Sequence, residues 1–415
     1  MEQKFTRYEV FVVAILTILQ FTLILDFMVL SPLGPFLMPD LHITTEQFSH
    51  VVSAYAFSAG LSGILAAGFA DKFDRKKLLL FFYIGFIAGT LLCGLANSYA
   101  TLLIARIITG IFGGVIGSIS FTIITDLFRL EMRGRVMGFV QMAFASSQVL
   151  GLPIGLYLAK LWDWHSPFIM IVLVSLVVAG FIIIYLKPID EHLKIKSQKN
   201  AFVHLAKTAS NSIYLKTFIA TTLLATGGFM MMPFGTVFGV NNLKISQDDL
   251  WLLYTVTGLF SMALGPLSGK LADSWGKYKM FILGSIITVA VVLYYTQLGP
   301  TPMWVVMIIN IVVFAGISAR MISSSALVSA VPDMPDRGAF MSINSSVQQI
   351  SGGIAAYVAG MIVVQSSTGE LRNYDILGYV VAGTTVITIG LIWFVNNYVM
   401  SKTAPAVAPV IIGHD

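Results

Sequence analysis

Twelve long apolar segments, separated by short polar breaks, dominate this sequence of 415 residues. We number them spans one to twelve; they lie at residues 10–37, 47–69, 78–96, 100–124, 135–159, 167–187, 214–240, 249–271, 279–298, 303–330, 338–364 and 375–398. A helix needs about 20 apolar residues to cross a bilayer, whereas a membrane β-strand alternates apolar and polar residues over about ten. With 11% charged residues, the chain also lacks the polar surface of a water-soluble domain, which carries about 25%. We therefore predict an all-α integral membrane protein with twelve transmembrane helices.

The basic residues indicate how these spans are oriented, because Lys and Arg accumulate in cytoplasmic loops. Of the 25 Lys and Arg residues, 20 fall on the side that carries both termini, and only Lys160, Lys244 and Arg372 fall on the other side. Arg106 and Arg320 lie within spans. We predict a multi-pass protein of the cell (inner) membrane with cytoplasmic N and C termini.

The longest polar break, which is rich in lysine, lies between spans six and seven. It predicts an N-terminal six-helix bundle at residues 1–187, a cytoplasmic linker at 188–212, a C-terminal six-helix bundle at 213–400 and a cytoplasmic tail at 401–415.

The two bundles share short sequence repeats at nearly one offset. Leu41–Thr44 recurs as Leu243–Ser246 at an offset of 202, and each copy has a hydroxyl followed three residues later by Gln47 or Asp249, like a capping box. Two further pairs are Ala70-Asp71 with Ala272-Asp273, and Arg133-Gly134 with Arg337-Gly338. These matches predict two pseudo-symmetric halves with a substrate site between them near the membrane midplane.

Two loops carry a recognisable motif, GFADKFDRKK at Gly68–Lys77 and GKLADSWGK at Gly269–Lys277. They resemble the signature G-x-x-x-D-[RK]-x-G-R-[RK] of the major facilitator superfamily, with Asp74 in place of the turn glycine. Asp tolerates positive φ, so we expect the turn to persist. Charged groups at these helix tips, the turn glycine of the second loop and the arginines before spans five and eleven are gating candidates. The full set is Asp71, Lys72, Arg75, Lys76, Asp273, Gly276, Lys277, Arg133 and Arg337.

Span four contains Arg106, Gly110 and Gly114 on one helical face, which resembles a second signature of the superfamily. Asp26 is the sole carboxylate deep within an apolar segment. It lies roughly 24 Å along span one, and Arg106 lies roughly 10 Å from the opposite entry, so their depths agree. Because buried charges need partners, we hypothesise that they pair and that Asp26 takes up the coupling proton. A purely structural role for Asp26 is the alternative.

Span five carries small residues at helical spacing, including Ser147, Gly151 and Gly155, with Pro153 between the last two. The run Gly151–Gly155 resembles the antiporter signature in the G-x-P-x-G form of the drug and sugar efflux branch. It predicts a bending gate, although small-residue stripes also serve ordinary helix packing. Over the whole chain, the resemblance is to the twelve-helix drug:proton antiporter family.

The resemblance implies that cargo is held by the inward faces of the central spans. Our candidates for the cavity are Tyr55, Gln141, Gln148, Met231, Phe234, Tyr254, Arg320, Asn344 and Gln348. Arg320 either attracts an anionic substrate or closes a charge network, and the sequence does not choose between these roles.

We therefore expect a proton-coupled exporter of a small lipophilic or amphipathic molecule. Proton-coupled or facilitated transport of a sugar or organic anion is an alternative, and a lipid-modifying membrane enzyme is a distant one, because acyltransferase, hydrolase and Walker motifs are absent. We expect no enzyme activity, no metal and no cofactor other than the proton. The expected partners are the small-molecule substrate, protons and membrane lipids, with no nucleic acid, and we expect a monomer.

Overall fold

The computed structural model describes residues 5–66, 72–190, 193, 201–333 and 336–403. Its helices are α1 (Arg7–Val29), α2 (Gly34–Asp40), α3 (Thr45–Ala66), α4 (Arg75–Cys93), α5 (Tyr99–Leu127), α6 (Leu130–Ser146), α7 (Leu152–Leu161), α8 (Ser166–Tyr185), α9 (Ala201–Ala209), α10 (Ser212–Phe229), α11 (Gly235–Asn241), α12 (Leu250–Trp275), α13 (Lys277–Tyr295), α14 (Met303–Ala330), α15 (Arg337–Ile362) and α16 (Tyr374–Thr403). A π-helical segment (Ser147–Gly151) joins α6 to α7.

The protein is an all-α integral membrane protein, apart from two two-residue strands between α15 and α16, β1 (Val364–Gln365) and β2 (Leu371–Arg372), which pair antiparallel. Among the described residues, ten helices are long and apolar enough to cross a membrane, with α6, the π segment and α7 together forming one of them. Two further helices, α10 and α15, complete the predicted twelve spans. They are less apolar because they carry more hydroxyl, amide and glycine residues, and both pack within the bundle, α10 against α15 and α16, and α15 against α3.

Spans one and seven do not continue as single helices, contrary to our prediction. The helix of span one ends at Val29, and α2 begins at Gly34; the helix of span seven ends at Phe229, and α11 begins at Gly235. A proline accompanies each break, Pro35 in the first turn of α2 and Pro233 between α10 and α11. Proline lacks a backbone N–H and disfavours helix at the residue before it.

The sequence repeat is also a repeat of backbone conformation. His42 has φ 51° and Lys244 has φ 60°, an unusual left-handed geometry at equivalent positions. The predicted capping box forms at Thr44, whose Oγ1 accepts from Gln47 N while Gln47 Oε1 accepts from Thr44 N. The second predicted box is wrong. Ser246 Oγ accepts from Asp248 N, because a 3₁₀ turn intervenes before α12.

Helices of the first six spans meet those of the last six along two seams. One joins α3 to α15, and the other joins α12 to α7 and the π segment. Glycines allow this approach, because a Cβ on Gly60 would lie 2.6 Å from Ile350 Cγ1, and one on Gly258 would lie 2.8 Å from Gln148 O. The seams hold the two groups of helices as one bundle.

We call the bundle end that carries the N terminus of α1 and the C terminus of α16 the basic end, and the opposite end the far end. Several polar contacts join the two groups of spans at the far end. Ser31 Oγ donates to Met232 O, Thr45 Oγ1 donates to Val363 O (2.9 Å), and Lys160 Nζ lies 3.5 Å from Asp248 Oδ1. The short α2 and α11 also touch there. The far end is therefore closed in this structure.

At the basic end, α9 docks against α15 through a small polar cluster. His204 Nε2 lies 3.0 Å from Asp336 Oδ1, and Tyr214 Oη donates to Asp336 Oδ2 (3.1 Å). The hydrogen bond with His204 is the main reason why the pKa of Asp336 lies below its usual range.

Close helix packing predicts how two glycine substitutions differ. A Cβ on Gly114 would lie 2.5 Å from Ala59 Cα, whereas nothing lies within 4 Å of one on Gly180, which is also within a helix. We expect Gly114→Ala to destabilise the protein by about 1–3 kcal/mol through overpacking. Gly180→Ala should be neutral or stabilising by about 0.5–1 kcal/mol. Thermal unfolding in detergent measures both, and equal effects would contradict the packing.

The α9 cluster predicts a pH dependence. The pKa of Asp336 is lower in the folded protein than in the unfolded chain, where it is about 3.9. Asp336 therefore stabilises the folded protein above about pH 3.9, and this stabilisation is lost only as the pH falls through the lower pKa of the folded state. We expect amide exchange in α9, corrected for intrinsic rate, to increase as pH falls below about 3.9, because protonation of Asp336 then weakens its bond with His204. Asp336→Asn should raise the exchange already at about pH 5, and Asp375→Asn should not. Equal protection in Asp336→Asn and wild type would rule out this docking.

Candidate functional site

A fully buried ion pair joins spans one and four. Arg106 Nη1 lies 2.8 Å from Asp26 Oδ2 and also donates to the Asp26 backbone carbonyl at 3.3 Å. The Asp26 side chain is 0% exposed and that of Arg106 is 1% exposed. The two residues that the sequence placed at one depth are thus in direct contact.

Two further helices complete the surroundings of this pair. Thr90 on α4 donates its hydroxyl to Asp26 Oδ1 at 3.1 Å, so both carboxylate oxygens are bonded. The ring of Tyr55 on α3 lies under the guanidinium, with Arg106 Cζ 4.5 Å from the ring centroid. Gly110, one turn after Arg106, admits α3 at this depth, because a Cβ there would lie 2.5 Å from Tyr55 O.

The two charges of the pair depend on each other, because both are buried. Burial in an apolar medium penalises each charge strongly, and only the partner charge and the hydrogen bonds offset that penalty. A proton on Asp26 would remove one charge and weaken the attraction to Arg106, while Arg106 stays charged. Arg106 Nε has no hydrogen-bond partner among the described residues, so the guanidinium retains a donor for a second acceptor.

Span five contacts α1 beside this pair through its small residues. Ser147 Oγ lies within hydrogen-bond distance of Ala143 O (2.8 Å) and Phe21 O (3.2 Å). A Cβ on Gly151 would lie 2.6 Å from Leu25 Cδ1, next to Asp26, and Gly155 faces Val29.

The predicted bending point coincides with the π segment. Pro153 has no N–H to donate back along the helix, and the wider π turn absorbs the mismatch immediately before it. The G-x-P-x-G run therefore marks a local irregularity of the helix opposite Asp26.

In the first copy of the loop, two of the predicted gating residues hold neighbouring helices together. Asp71 lies outside the described residues, and Lys72 is exposed. Arg75 is buried, and its Nε lies 3.0 Å from Asp126 Oδ2 at the end of α5. Lys76 Nζ donates to Ile183 O at 2.9 Å.

The two copies of the loop turn differently. We expected Asp74 to take the place of the turn glycine, but its φ is −55° and its side chain caps α4 by accepting from Lys77 N. Gly276 in the second copy has φ 100°, which glycine adopts without strain. Asp273 and Lys277 beside it are exposed.

Arg133 and Arg337, the remaining gating candidates, have different environments. Arg133 Nε donates to Phe128 O at 2.9 Å, and its Nη2 donates to Thr125 O, so it satisfies carbonyls at the end of α5. Arg337 is exposed at the start of α15.

The cavity candidates fall into separate groups. Tyr55 belongs to the ion-pair site. Phe234 packs on Phe48 with ring centroids 6.2 Å apart, and Tyr254 Oη lies 2.6 Å from Thr236 Oγ1, which places both near the far-end closure. Met231 also lies in the break between α10 and α11.

The amide candidates line the middle and basic part of the bundle. Asn344 Oδ1 accepts from Thr221 Oγ1 at 2.7 Å. Gln141 is exposed, and Gln148 and Gln348 are half-buried. Arg320 is 4% exposed and lies deep among the last six spans.

Three residues that bind a charged side chain of the structure were not predicted from the sequence. Thr90 lies near the far end of span three, at the depth of Asp26. A hydroxyl at that depth could have identified it as a hydrogen-bond donor to Asp26. Asp126 binds Arg75, and Asp248 binds Lys160, but nothing in the spacing of either aspartate indicates its distant partner.

Comparisons with known proteins agree with this architecture. A family profile described as Major Facilitator Superfamily matches residues 16–356 and 217–410. The uncharacterized MFS-type transporter YceJ of Bacillus subtilis (strain 168) is 30% identical over 267 residues, 63% of this chain and 67% of its own length. Multidrug resistance protein 3 of the same organism is 36% identical over 151 residues, 36% of this chain and 30% of its own length. The crystal structure of a D-xylose-proton symporter has a TM-score of 0.74 at 16% identity, covering 91% of this chain and 97% of that chain.

The buried pair predicts strong coupling between its members. We expect Arg106→Gln to destabilise the protein by about 3–5 kcal/mol, because Asp26 would remain buried without its partner charge. The double variant Asp26→Asn/Arg106→Gln should lose less stability than the sum of the two single variants. Unfolding in detergent measures this double-mutant cycle, and additive effects would contradict a mutually dependent pair.

Proposed function

The chain belongs to the Major Facilitator Superfamily of membrane transporters, and from this premise we propose that it is a proton-coupled secondary transporter. It exports a small lipophilic or amphipathic molecule across the cytoplasmic membrane by alternating access. The single observation that carries this proposal is the fully buried Asp26–Arg106 pair.

Proton binding at Asp26 changes the charge balance of the site. With Asp26 ionised, the carboxylate holds Arg106 and Thr90, and α1, α4 and α5 are drawn together. With Asp26 protonated, the charge–charge attraction is lost, and α1 is freer to move against span five. Leu25, the residue before Asp26, packs on Gly151, so the movement is passed to the π segment.

The closed far end corresponds to one state of the transport cycle. The Thr45–Val363 hydrogen bond and the Lys160–Asp248 ion pair hold the two groups of helices together there. Beside them, α2 touches α11 and Phe48 packs on Phe234. We expect these contacts to be exchanged for contacts at the basic end as the groups rock about the α3–α15 and α7–α12 seams. Opening of the far end releases cargo to the outside.

An aromatic cluster next to the ion pair supports a lipophilic cargo. The ring centroid of Phe27 lies 5.3 Å from that of Tyr55 and 5.7 Å from that of Phe229, so the cluster bridges the two groups of spans. Aromatic faces bind apolar and cationic groups alike. The name of the relative Multidrug resistance protein 3 agrees with this cargo class.

Proton-coupled or facilitated transport of a sugar or organic anion is the second candidate. It is favoured by Arg320, a buried guanidinium whose Nε and Nη2 have no hydrogen-bond partner among the described residues. A cargo that carries a negative group would supply one.

The topology and assembly belong to the same proposal. The proposed topology comprises six-helix bundles at residues 1–187 and 213–400, a cytoplasmic linker at 188–212 and a cytoplasmic tail at 401–415, in an inner-membrane protein with both termini in the cytoplasm. Residues 191, 192 and 194–200 of the linker and 404–415 of the tail lie outside the described residues. The excess of basic residues on one side supports this orientation. The protein works as a monomer among membrane lipids, because both groups of helices that surround the site come from one chain.

Proton release on cargo binding tests the mechanism. Detergent-solubilised protein is titrated in weak buffer with tetraphenylphosphonium, xylose and benzoate while the bulk pH is recorded. We expect a lipophilic compound to release protons from the wild type but not from Asp26→Asn, because cargo and proton compete at Asp26. Asp163→Asn, at an exposed far-end aspartate, is the control and should behave as wild type. Binding with no proton signal, equal in wild type and Asp26→Asn, would exclude proton antiport through Asp26.

A further inference from the structure

Arg320 is a buried cation for which the described residues supply no hydrogen-bonded carboxylate. Its side chain lies among the last six spans and is 4% exposed, yet neither Nε nor Nη2 has a hydrogen-bond partner in the described part of the chain. The ring of Phe281 lies on one side of it, with its centroid 5.9 Å from Arg320 Cζ. Arg106, the other intramembrane arginine, has a carboxylate at 2.8 Å.

Around Arg320, three hydroxyl groups also have no hydrogen bond to any described residue. Ser285, Ser323 and Thr385 each have a buried hydroxyl oxygen without a partner among the described residues. Hydroxyls in a membrane helix ordinarily bond the carbonyl four residues earlier, as Thr288 does with Gly284 O at 2.7 Å. Unsatisfied buried polar groups are rare and costly, and here several occur in one region.

The space between these groups lies at Gly227 on α10. A Cβ at Gly227 would lie 3.9 Å from Arg320 Nη2 and 3.8 Å from the Oγ1 atoms of Thr384 and Thr385. The backbone of α10 therefore faces a small space lined by one guanidinium and two hydroxyls. Beside it, Gly228 is exposed and has nothing within 4 Å of its own Cβ position, which leaves a route toward the space between the helices.

The internal repeat has a glycine where the first half has its buried acid. At the offset of 202, Asp26 corresponds to Gly228, the neighbour of Gly227. Arg320 is not the repeat of Arg106, because Arg106 corresponds to Ile308 and Arg320 to Ser118 at this offset. The second half thus carries an arginine of its own, and the helix of span seven that faces it offers glycine in place of a carboxylate.

We propose that Arg320 and Thr385 form a binding site for a compact monoanionic group. Thr384 lies at its edge, with its hydroxyl donated to Val380 O at 3.0 Å. Nε and Nη2 are on one edge of the guanidinium, and their parallel N–H bonds match the two oxygens of a carboxylate. The anion is either a carboxylate of the transported molecule, in which case the site rests on the proposed transport function, or a free anion such as chloride, in which case it does not.

Anion-dependent stabilisation tests the site. Purified full-length protein in detergent, in a sulfate background, is titrated with benzoate, with its neutral isostere benzamide and with chloride, and thermal unfolding is followed by intrinsic fluorescence. We expect benzoate or chloride, but not benzamide, to stabilise the wild type saturably. Arg320→Gln should weaken this apparent affinity by at least about tenfold, the loss expected for charged hydrogen bonds.

A second variant supplies the missing carboxylate internally. Gly227→Asp places an acid where a Cβ fits without a close contact, so we expect a higher unfolding temperature without added anion and no further rise with benzoate. Arg372→Gln, at an exposed arginine near the far end, is the matched control and should retain the anion effect.

The outcomes separate the possible sources of the anion. Stabilisation by benzoate alone assigns the site to a carboxylate of the cargo, and displacement of benzoate by chloride assigns it to a free anion. Equal anion responses in wild type, Arg320→Gln and Gly227→Asp would overturn the proposal. Asp26→Asn should bind benzoate as the wild type does. If the wild type shows the anion effect at Arg320 but releases no proton on binding any cargo, that result counts against the transport mechanism alone.

Discussion

The contact between Asp26 and Arg106 depends on the apolar medium that surrounds it. In water the pair would contribute little, but at full burial each charge is tolerated only because the other is present. That dependence explains the arrangement of four helices at one depth: α1 and α5 supply the charges, α4 supplies Thr90, and α3 supplies the face of Tyr55. Moving any of these helices changes the solvation of a charge, so geometry and protonation are linked.

Small residues make this arrangement possible, because helices in a bilayer associate through close packing rather than through exclusion of water. Gly110 and Gly114 admit α3 against α5, and Gly151 admits α1 against span five. The same closeness restricts motion to sliding along the seams and to points where a helix is irregular. The π segment before Pro153 is such a point, and it lies beside Leu25, so the irregularity is in contact with the residue that precedes the buried acid.

Patterns that depend on the solvent were readable from the sequence, and patterns that depend on particular neighbours were not. Apolar runs predicted the spans, and depth along two helices was enough to bring Asp26 to Arg106, because the membrane gives every span a common axis. The breaks in spans one and seven were missed because apolar composition continues through them while the backbone does not. The capping box at Ser246 and the turn at Asp74 failed because local backbone geometry, not residue type, selects the hydrogen bond. Asp126 needed the tertiary contact with Arg75 to be recognised.

The two repeated halves resemble each other more closely in backbone conformation than in their charged residues. His42 and Lys244 retain the same left-handed conformation although their side chains differ, and both halves break the helix of their first span. At the position equivalent to Asp26, the second half has Gly228. The first half therefore encloses a complete ion pair, whereas the second half encloses Arg320 without a carboxylate partner among the described residues. A complete pair responds to a proton without any ligand, whereas a lone cation is balanced only by something that arrives from outside. On the two proposals above, the halves would respond to different species, and the α3–α15 and α7–α12 seams are where the two groups of helices are in contact.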